Sequence, residues 1–303
     1  MQVALNEDQR AIRDALDALA RPFEEAPVHE APLVAASPDF ARALAESGFL
    51  DVACDPDLGT ATAGVVVERL ARLPFAVEAA TRAFFAPLLG DVSGPVCLVE
   101  GTRTPRLVRF LEPGACVIVV EAQGVSYFTA GEHQLRRESE SLFAYPMASL
   151  LDVSEGRAVL AITPGEARTR ARAALAAEVA GLMAAALASV CAHLSERTQF
   201  GRKLATFQAL RHRLAEAQVR TNGVYWMAMK AAATLDPADA ALAAWHAQES
   251  ATATVYDFHQ FLGAMGMTLE HPLHFWTYRL KALIGELGGR GASAAAAADA
   301  MWG

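Results

Sequence analysis

The chain has 303 residues, 53% of them hydrophobic and 20% charged, with 26 basic and 34 acidic side chains. That composition can bury a large core over two or three modules, and it excludes low-complexity disorder, which needs low hydrophobicity and high charge. A formal net charge of −8 argues against a general nucleic-acid binder, whose phosphate-facing surface would be basic.

Taken in chain order, the first 90 residues read as helical. The start, Met1 to Asp8, turns polar within six residues and lacks the basic and apolar runs of a signal peptide, so a cytoplasmic protein is expected. Asn6 can cap a helix whose apolar residues Ile12, Leu16 and Leu19 recur at helical spacing. Pro22 ends it, and Pro27 and Pro32 mark an extended connection. Phe40, Leu44 and Phe49 predict a second helix with Gly48 as its C-terminal cap. Thr62–Leu73 and Val77–Leu89 predict a third and a fourth.

From 91 to 155 the texture changes. Val96–Val99, Leu107–Phe110, Cys116–Val120 and Val125–Thr129 are short, rich in β-branched residues and bounded by Gly or Pro. They predict a small antiparallel β module. From 164 onward the chain is helical again. Helices are expected from Pro164 to Arg197, from 206 to 235, from 238 to 265 and from Pro272 to Leu287, ended by Gly288-Gly289. Four long helices with short links predict an antiparallel bundle. The apolar run Ala173–Leu194 contains Glu178 and His193, so it reads as a buried bundle helix rather than a membrane span. The fold class is therefore mainly α with a small β module. The divisions are 1–90 (N-terminal helical), 91–160 (reduced β) and 161–303 (C-terminal four-helix bundle). Cys54, Cys97, Cys116 and Cys191 are scattered and read as buried thiols in a reducing compartment, and no metal site is expected.

The most specific stretch runs from Ser195 to Gln208 and contains Arg197-Thr198-Gln199-Phe200-Gly201 followed by Phe207-Gln208. It resembles the signature of flavin-dependent acyl-CoA dehydrogenases. Gln260-Phe261-Leu262-Gly263-Ala264-Met265-Gly266 is similar to that family's Gln-x-x-Gly-Gly-x-Gly element, with Ala264 in place of the second glycine. The α–β–α order and the stretches Leu5–Gln9 and Ala45–Phe49 fit the same family. The resemblance implies FAD as cofactor and Arg197, Gln199, Phe200, Phe207, Gln208, Gln260 and Gly263 as cofactor-binding residues. In the family these elements usually serve the flavin of a neighbouring subunit. Chemically they suit a dinucleotide. Arg197 can form charge-assisted hydrogen bonds to a pyrophosphate, Phe207 offers an apolar face to adenine, and the three glutamines supply amide hydrogen bonds. Taken singly, each has a plainer reading as a solvated cation, a core aromatic or a helix-end glycine.

Departures from the family pattern carry equal weight. The Thr-Glu-Pro and Gly-Ser-Asp loop of catalytic members has no counterpart near Leu98–Thr104. Trp226, Trp245, Trp276 and Trp302 all lie in the last third, so the family's Trp-Ile-Thr-like strand is missing. The Glu-Gly-Thr turn that supplies a base in many members is replaced by Gly285-Glu286-Leu287-Gly288, where Glu286 reads first as a surface or helix-end carboxylate. Retained cofactor elements and lost flavin-ring elements together resemble one half of the heteromeric α2β2 dehydrogenases of bacterial steroid side-chain degradation. That resemblance implies a second dehydrogenase-like chain as partner, a bulky acyl-CoA substrate, and an electron-transfer flavoprotein or similar acceptor. Two alternatives stand beside it: a homo-oligomeric dehydrogenase or flavin oxidoreductase with Glu286 as base, and a non-catalytic scaffold or acyl-CoA binder. Arg168, Arg170 and Arg172 read either as a coenzyme A phosphate patch or as ordinary charges at a helix start. His271 and His274 read as capping or partner-contact residues.

Overall fold

Helix α1 (Glu7–Ala20) starts where its sequence supplies a reciprocal cap. Gln9 N donates to Asn6 Oδ1 at 2.7 Å and Asn6 N donates to Gln9 Oε1 at 3.1 Å. The computed structural model describes residues 5–28, 33–90, 92–139, 141–153 and 156–303; Met1–Ala4 of the polar start and Pro32 of the predicted connection lie outside them. Helix α2 (Pro38–Ser47) is capped by Ser37 and closed by Gly48 at φ 74°, as its glycine predicts. Helices α3 (Gly59–Ala71) and α4 (Ala80–Leu89) complete the first helical region.

Seven strands follow: β1 (Val96–Glu100), β2 (Arg106–Arg109), β3 (Cys116–Val120), β4 (Val125–Thr129), β5 (Leu135–Arg137), β6 (Met147–Leu150) and β7 (Ala158–Leu160). They form two sheets, ordered β1-β3-β4-β7 and β2-β6-β5. The expectation of a purely antiparallel module is corrected here, because β1 and β3 pair in parallel. The cause is β2, which leaves for the second sheet, so the chain returns to β3 running in its original direction. Every residue of β3 is buried. Cys116, Ile118 and Val120 join the main helical core, while Val117 and Val119 face the second sheet with Phe128, Tyr145 and Leu150. Strand alternation thus divides one strand between two cores.

Helix α5 (Pro164–Glu196) runs through the middle of the bundle formed with α6 (Gln208–Thr234), α7 (Pro237–Leu262) and α8 (Leu273–Gly285). Among the described residues it alone is long and apolar enough to cross a membrane, and 72% of its most apolar window is buried inside the fold. Ala173, Ala176, Ala177 and Ala180 are fully buried, and their small side chains admit neighbouring helices at short range. A fifth helix, α9 (Gly289–Trp302), packs against α7. The sequence reading ended at Gly288-Gly289 and missed it. Both glycines have positive φ, 79° and 71°, and they turn the chain into the alanine-rich helix that follows.

The closest helix crossing is at Gly181. A Cβ there would meet the carbonyl oxygen of Glu68 on α3 at 2.1 Å and the Cβ of Ala71 at 2.8 Å. Gly181→Val should therefore force α3 and α5 apart and lower stability by about 2–3 kcal/mol. Urea unfolding checks this through a reduced midpoint with unchanged slope.

Candidate active-site cavity and cofactor-motif surface

A cavity of about 590 Å³ lies where the strands meet the helices. Its walls come from Glu78–Thr81 at the start of α4, from β1 and β2, from one side of α5 (Ala171, Ala174, Leu175), and from the link between α8 and α9. Most of the lining is apolar; one group of polar side chains gathers around Arg109 of β2, and Glu100 and Arg106 line the wall as well.

Arg109 Nη1 lies 2.8 Å from Glu178 on α5, and its Nε lies 2.6 Å from Glu286 Oε1 in the α8–α9 link. Tyr145 OH donates to Glu178 Oε1 at 2.8 Å, and the guanidinium stands 5.1 Å from the centre of the Tyr145 ring. Burial works against the Arg109 charge, but Glu178 and Glu286 more than offset it, and the group is held firmly protonated. Burial pushes the Glu286 carboxyl above the usual range while Arg109 opposes the push. Burial and the neighbouring Glu178 raise the Tyr145 hydroxyl well above its ordinary value, so it stays a neutral donor.

The position of Glu286 is set from behind. Leu287, Gly288 and Gly289 all have positive φ, which folds the link sharply. Fully buried Gln248 of α7 donates from Nε2 to the carbonyls of Leu283 (3.0 Å) and Glu286 (2.9 Å), and its Oε1 accepts from Ser293 of α9 at 3.0 Å. Glu286 is therefore a helix-end carboxylate, one of the two forms the first sequence reading gave it, and not a surface one. It sits on the cavity wall, one-third exposed and ion-paired. The sequence analysis also missed Glu78, Arg109 and Tyr145 as cavity groups. Glu178 alone left a signal, as a lone acid in an alanine run that had to find a buried partner.

The predicted cofactor residues gather elsewhere, at the far end of α5. Arg197 leaves the helix exposed and extended, and Leu204 N donates to its carbonyl at 2.9 Å. Thr198–Gln199 (β8) pairs with Arg202–Lys203 (β9) around Phe200 (φ 58°) and Gly201 (φ 78°). Phe200 is 80% exposed and meets Phe207 edge-on at 6.1 Å, and Arg202 covers the Phe207 ring at 4.1 Å. Gln208 opens α6, exposed. Arg213 of α6 pairs with Asp257 of α7 and stands over the Phe261 ring at 5.1 Å, which brings exposed Gln260 and Gly263 to the same end of the bundle. Gly263 adopts φ 58° and ψ −130°, and the space its Cβ would enter is open. An exposed guanidinium, exposed amides, an accessible Phe200 ring beside the half-buried Phe207, and open backbone fit a dinucleotide pyrophosphate and adenine.

The other candidates separate. Arg168 pairs with Glu100 at 2.8 Å, Arg170 donates to the Phe84 carbonyl at 3.1 Å, and Arg172 Nε is buried without a hydrogen-bond partner, so the three do not form one outward patch. His271 Nδ1 accepts from Leu273 N at 3.2 Å at the start of α8, in a local capping role. Cys97 and Cys116 are buried as expected, Cys191 is half-buried, and Cys54 is exposed.

Arg109→Leu would leave Glu178 buried without its countercharge. It should lower stability by about 3–5 kcal/mol, and adding Glu178→Met should recover most of the loss. Denaturant unfolding of the single and double variants measures both.

Residues 166–295 match a family model described as acyl-CoA dehydrogenase, C-terminal domain. Acyl-CoA dehydrogenase FadE34 of Mycobacterium tuberculosis is 32% identical over 156 residues, 49% of this chain. The chain spans only 22% of that relative's length. Acyl-CoA dehydrogenase IpdE2 of the same organism is 30% identical over 231 residues, 72% of this chain and 71% of the relative. Among solved structures, the Tcur3481-Tcur3483 steroid ACAD G363A variant matches with a TM-score of 0.76 at 24% identity over 98% of each chain. The ChsE4-ChsE5 complex from Mycobacterium tuberculosis matches with a TM-score of 0.76 at 18% identity over 97% of each chain. At these identities the likeness to the solved structures is one of fold.

Proposed function

We propose that this chain, which belongs to the acyl-CoA dehydrogenase family, is one half of a two-chain enzyme that α,β-dehydrogenates a bulky, steroid-type acyl-CoA. In this reading it completes the FAD site of a second, dehydrogenase-like chain. The observation that carries the reading is a distance. The cavity touches α5 at Ala171, Ala174 and Leu175, whereas the cofactor motif begins at Arg197. At a helical rise of about 1.5 Å per residue, Leu175 and Arg197 stand about 33 Å apart. The motif end faces away from this chain's own cavity and is suited to a neighbour's cofactor. Likeness in fold to a steroid ACAD and to a complex of two named chains supports the same reading.

Bound FAD would supply the hydride acceptor for the reaction, and an electron-transfer flavoprotein or similar protein would reoxidise it. This chain's residues do the holding. Arg197 binds the pyrophosphate; Gln199, Gln208 and Gln260 give amide hydrogen bonds; Phe200 and Phe207 offer ring faces; Gly263 admits the cofactor close to the backbone. The partner contributes the carboxylate that abstracts the α-proton.

A second reading rests on Glu286, which lies on this chain's cavity wall and would be the base of a self-sufficient homo-oligomer. Against it, Glu286 is already bound to Arg109 at 2.6 Å. Expressed alone, the chain should be colourless; co-expressed with the neighbouring dehydrogenase-like chain, it should give a yellow complex. Arg197→Ala should weaken flavin retention in that complex by roughly tenfold or more, the worth of a charge-assisted hydrogen bond. Glu286→Gln should leave turnover unchanged. A bright yellow, active homo-oligomer that loses turnover on Glu286→Gln would establish the second reading instead.

A further inference from the structure

Glu78 is a polar group of the cavity that the proposed function leaves unused. It sits just before α4, and its carboxyl is pinned between two elements. Oε1 accepts from Arg82 N at 3.2 Å in the first turn of α4, and Oε2 accepts from Val96 N at 3.1 Å on β1. Among the described residues these two donors are its hydrogen-bond partners. The carboxyl stands in the cavity wall beside Ala80, Val96 and Leu175.

Arg106 of β2 also lines the cavity, with no ion pair among the described residues, and Glu100 of β1 is paired with Arg168; the other charges around Glu78 are committed. Arg109 of β2 is held by Glu178 of α5 and Glu286 of the α8–α9 link. Arg82 of α4 turns its guanidinium to Asp51 and to the Val92 carbonyl. Arg279 of α8 donates to the carbonyls of Phe275, Phe75 and Leu73. Burial raises the thiol of Cys97 on β1 well above its ordinary value; it is neutral and donates to the Arg109 carbonyl at 3.3 Å. Three carboxyl groups therefore share one guanidinium, and the one without a cation of its own is Glu78. Burial lifts its carboxyl to about 7, against the two backbone donors. A neutral carboxyl gains an O–H donor beside the acceptor capacity its oxygens retain, and the cavity is the side without protein partners.

We propose that Glu78 is the specificity-determining residue of this cavity, donating a hydrogen bond to a ketone or hydroxyl oxygen on an otherwise apolar, bulky ligand. The volume of about 590 Å³ suits a ring-bearing skeleton. At the Arg109 corner a ligand carboxylate is disfavoured, because two carboxylates already face that guanidinium.

Because the cavity needs no flavin, the test is direct binding to the flavin-free full-length chain, so it is independent of the heteromeric reading. Calorimetric titration with 2-decalone and its exocyclic methylene analogue at pH 6 and pH 8 supplies the measurement. At pH 6 the ketone should bind about tenfold tighter than the methylene analogue, the worth of one buried hydrogen bond. The preference should disappear at pH 8, because the donor form is present below about 7 and is lost as pH rises through it. Glu78→Leu should abolish the preference at pH 6 while still binding the methylene analogue. A purely structural Glu78 would give no pH-dependent discrimination. Equal binding of ketone and methylene analogue by the native chain at pH 6, a preference that persists at pH 8, or no binding of any probe would each overturn the proposal.

Discussion

The link between the β region and the helical bundle depends on where the charge of Arg109 goes. A guanidinium on β2 cannot be taken out of water without partners, and it finds them on two other parts of the chain. Glu178 comes from the central helix and Glu286 from the link between α8 and α9. One side chain therefore joins strand, bundle core and bundle end at a single point. The joint also explains the uneven character of the cavity: apolar over most of its wall, with one group of polar side chains crowded at one corner.

Around that joint the structure uses two different ways of bringing helices together. Where α5 meets α3 and α7, small residues allow close contact, and Gly181 sits almost against the backbone of α3. Where α7 meets the α8–α9 link, a buried amide does the work, with Gln248 satisfying two carbonyls and one hydroxyl. The first arrangement rests on shape and the second on directed hydrogen bonds. Glu286 belongs to the second, so its backbone is fixed independently of what its side chain binds.

How much of this was legible in the sequence depends on how local each feature is. The stretch from Arg197 to Gln208 and the turn at Gly263 are short and contiguous, so their resemblance to a known family's motifs singled them out. Their meeting at one bundle end followed from antiparallel helices of similar length. The cavity was not legible, because Glu78, Arg109, Glu178 and Glu286 come from four elements separated by long stretches of chain. Glu286 was seen as a surface or helix-end group and its ion pair was missed, since nothing in Gly285–Gly289 announces an arginine on a distant strand. The parallel pairing of β1 and β3 was hidden for a related reason: it depends on β2 leaving the sheet, which a strand's own composition does not encode. Helix α9 was lost because two glycines read as an ending, although glycine suits a sharp bend between helices equally well.

Helix α5 has a consequence of its own. Its 33 residues carry cavity-wall side chains near one end and lead into Arg197 at the other. A rigid rod of that length insulates the two ends from each other. Substitutions near Ala174 can reshape the cavity without disturbing the hairpin, and substitutions near Arg197 can change the exposed motif surface without touching the cavity. Diversification at one end is mechanically free of the other, so a lineage built on this helix can vary its cavity and its motif surface as separate inherited traits.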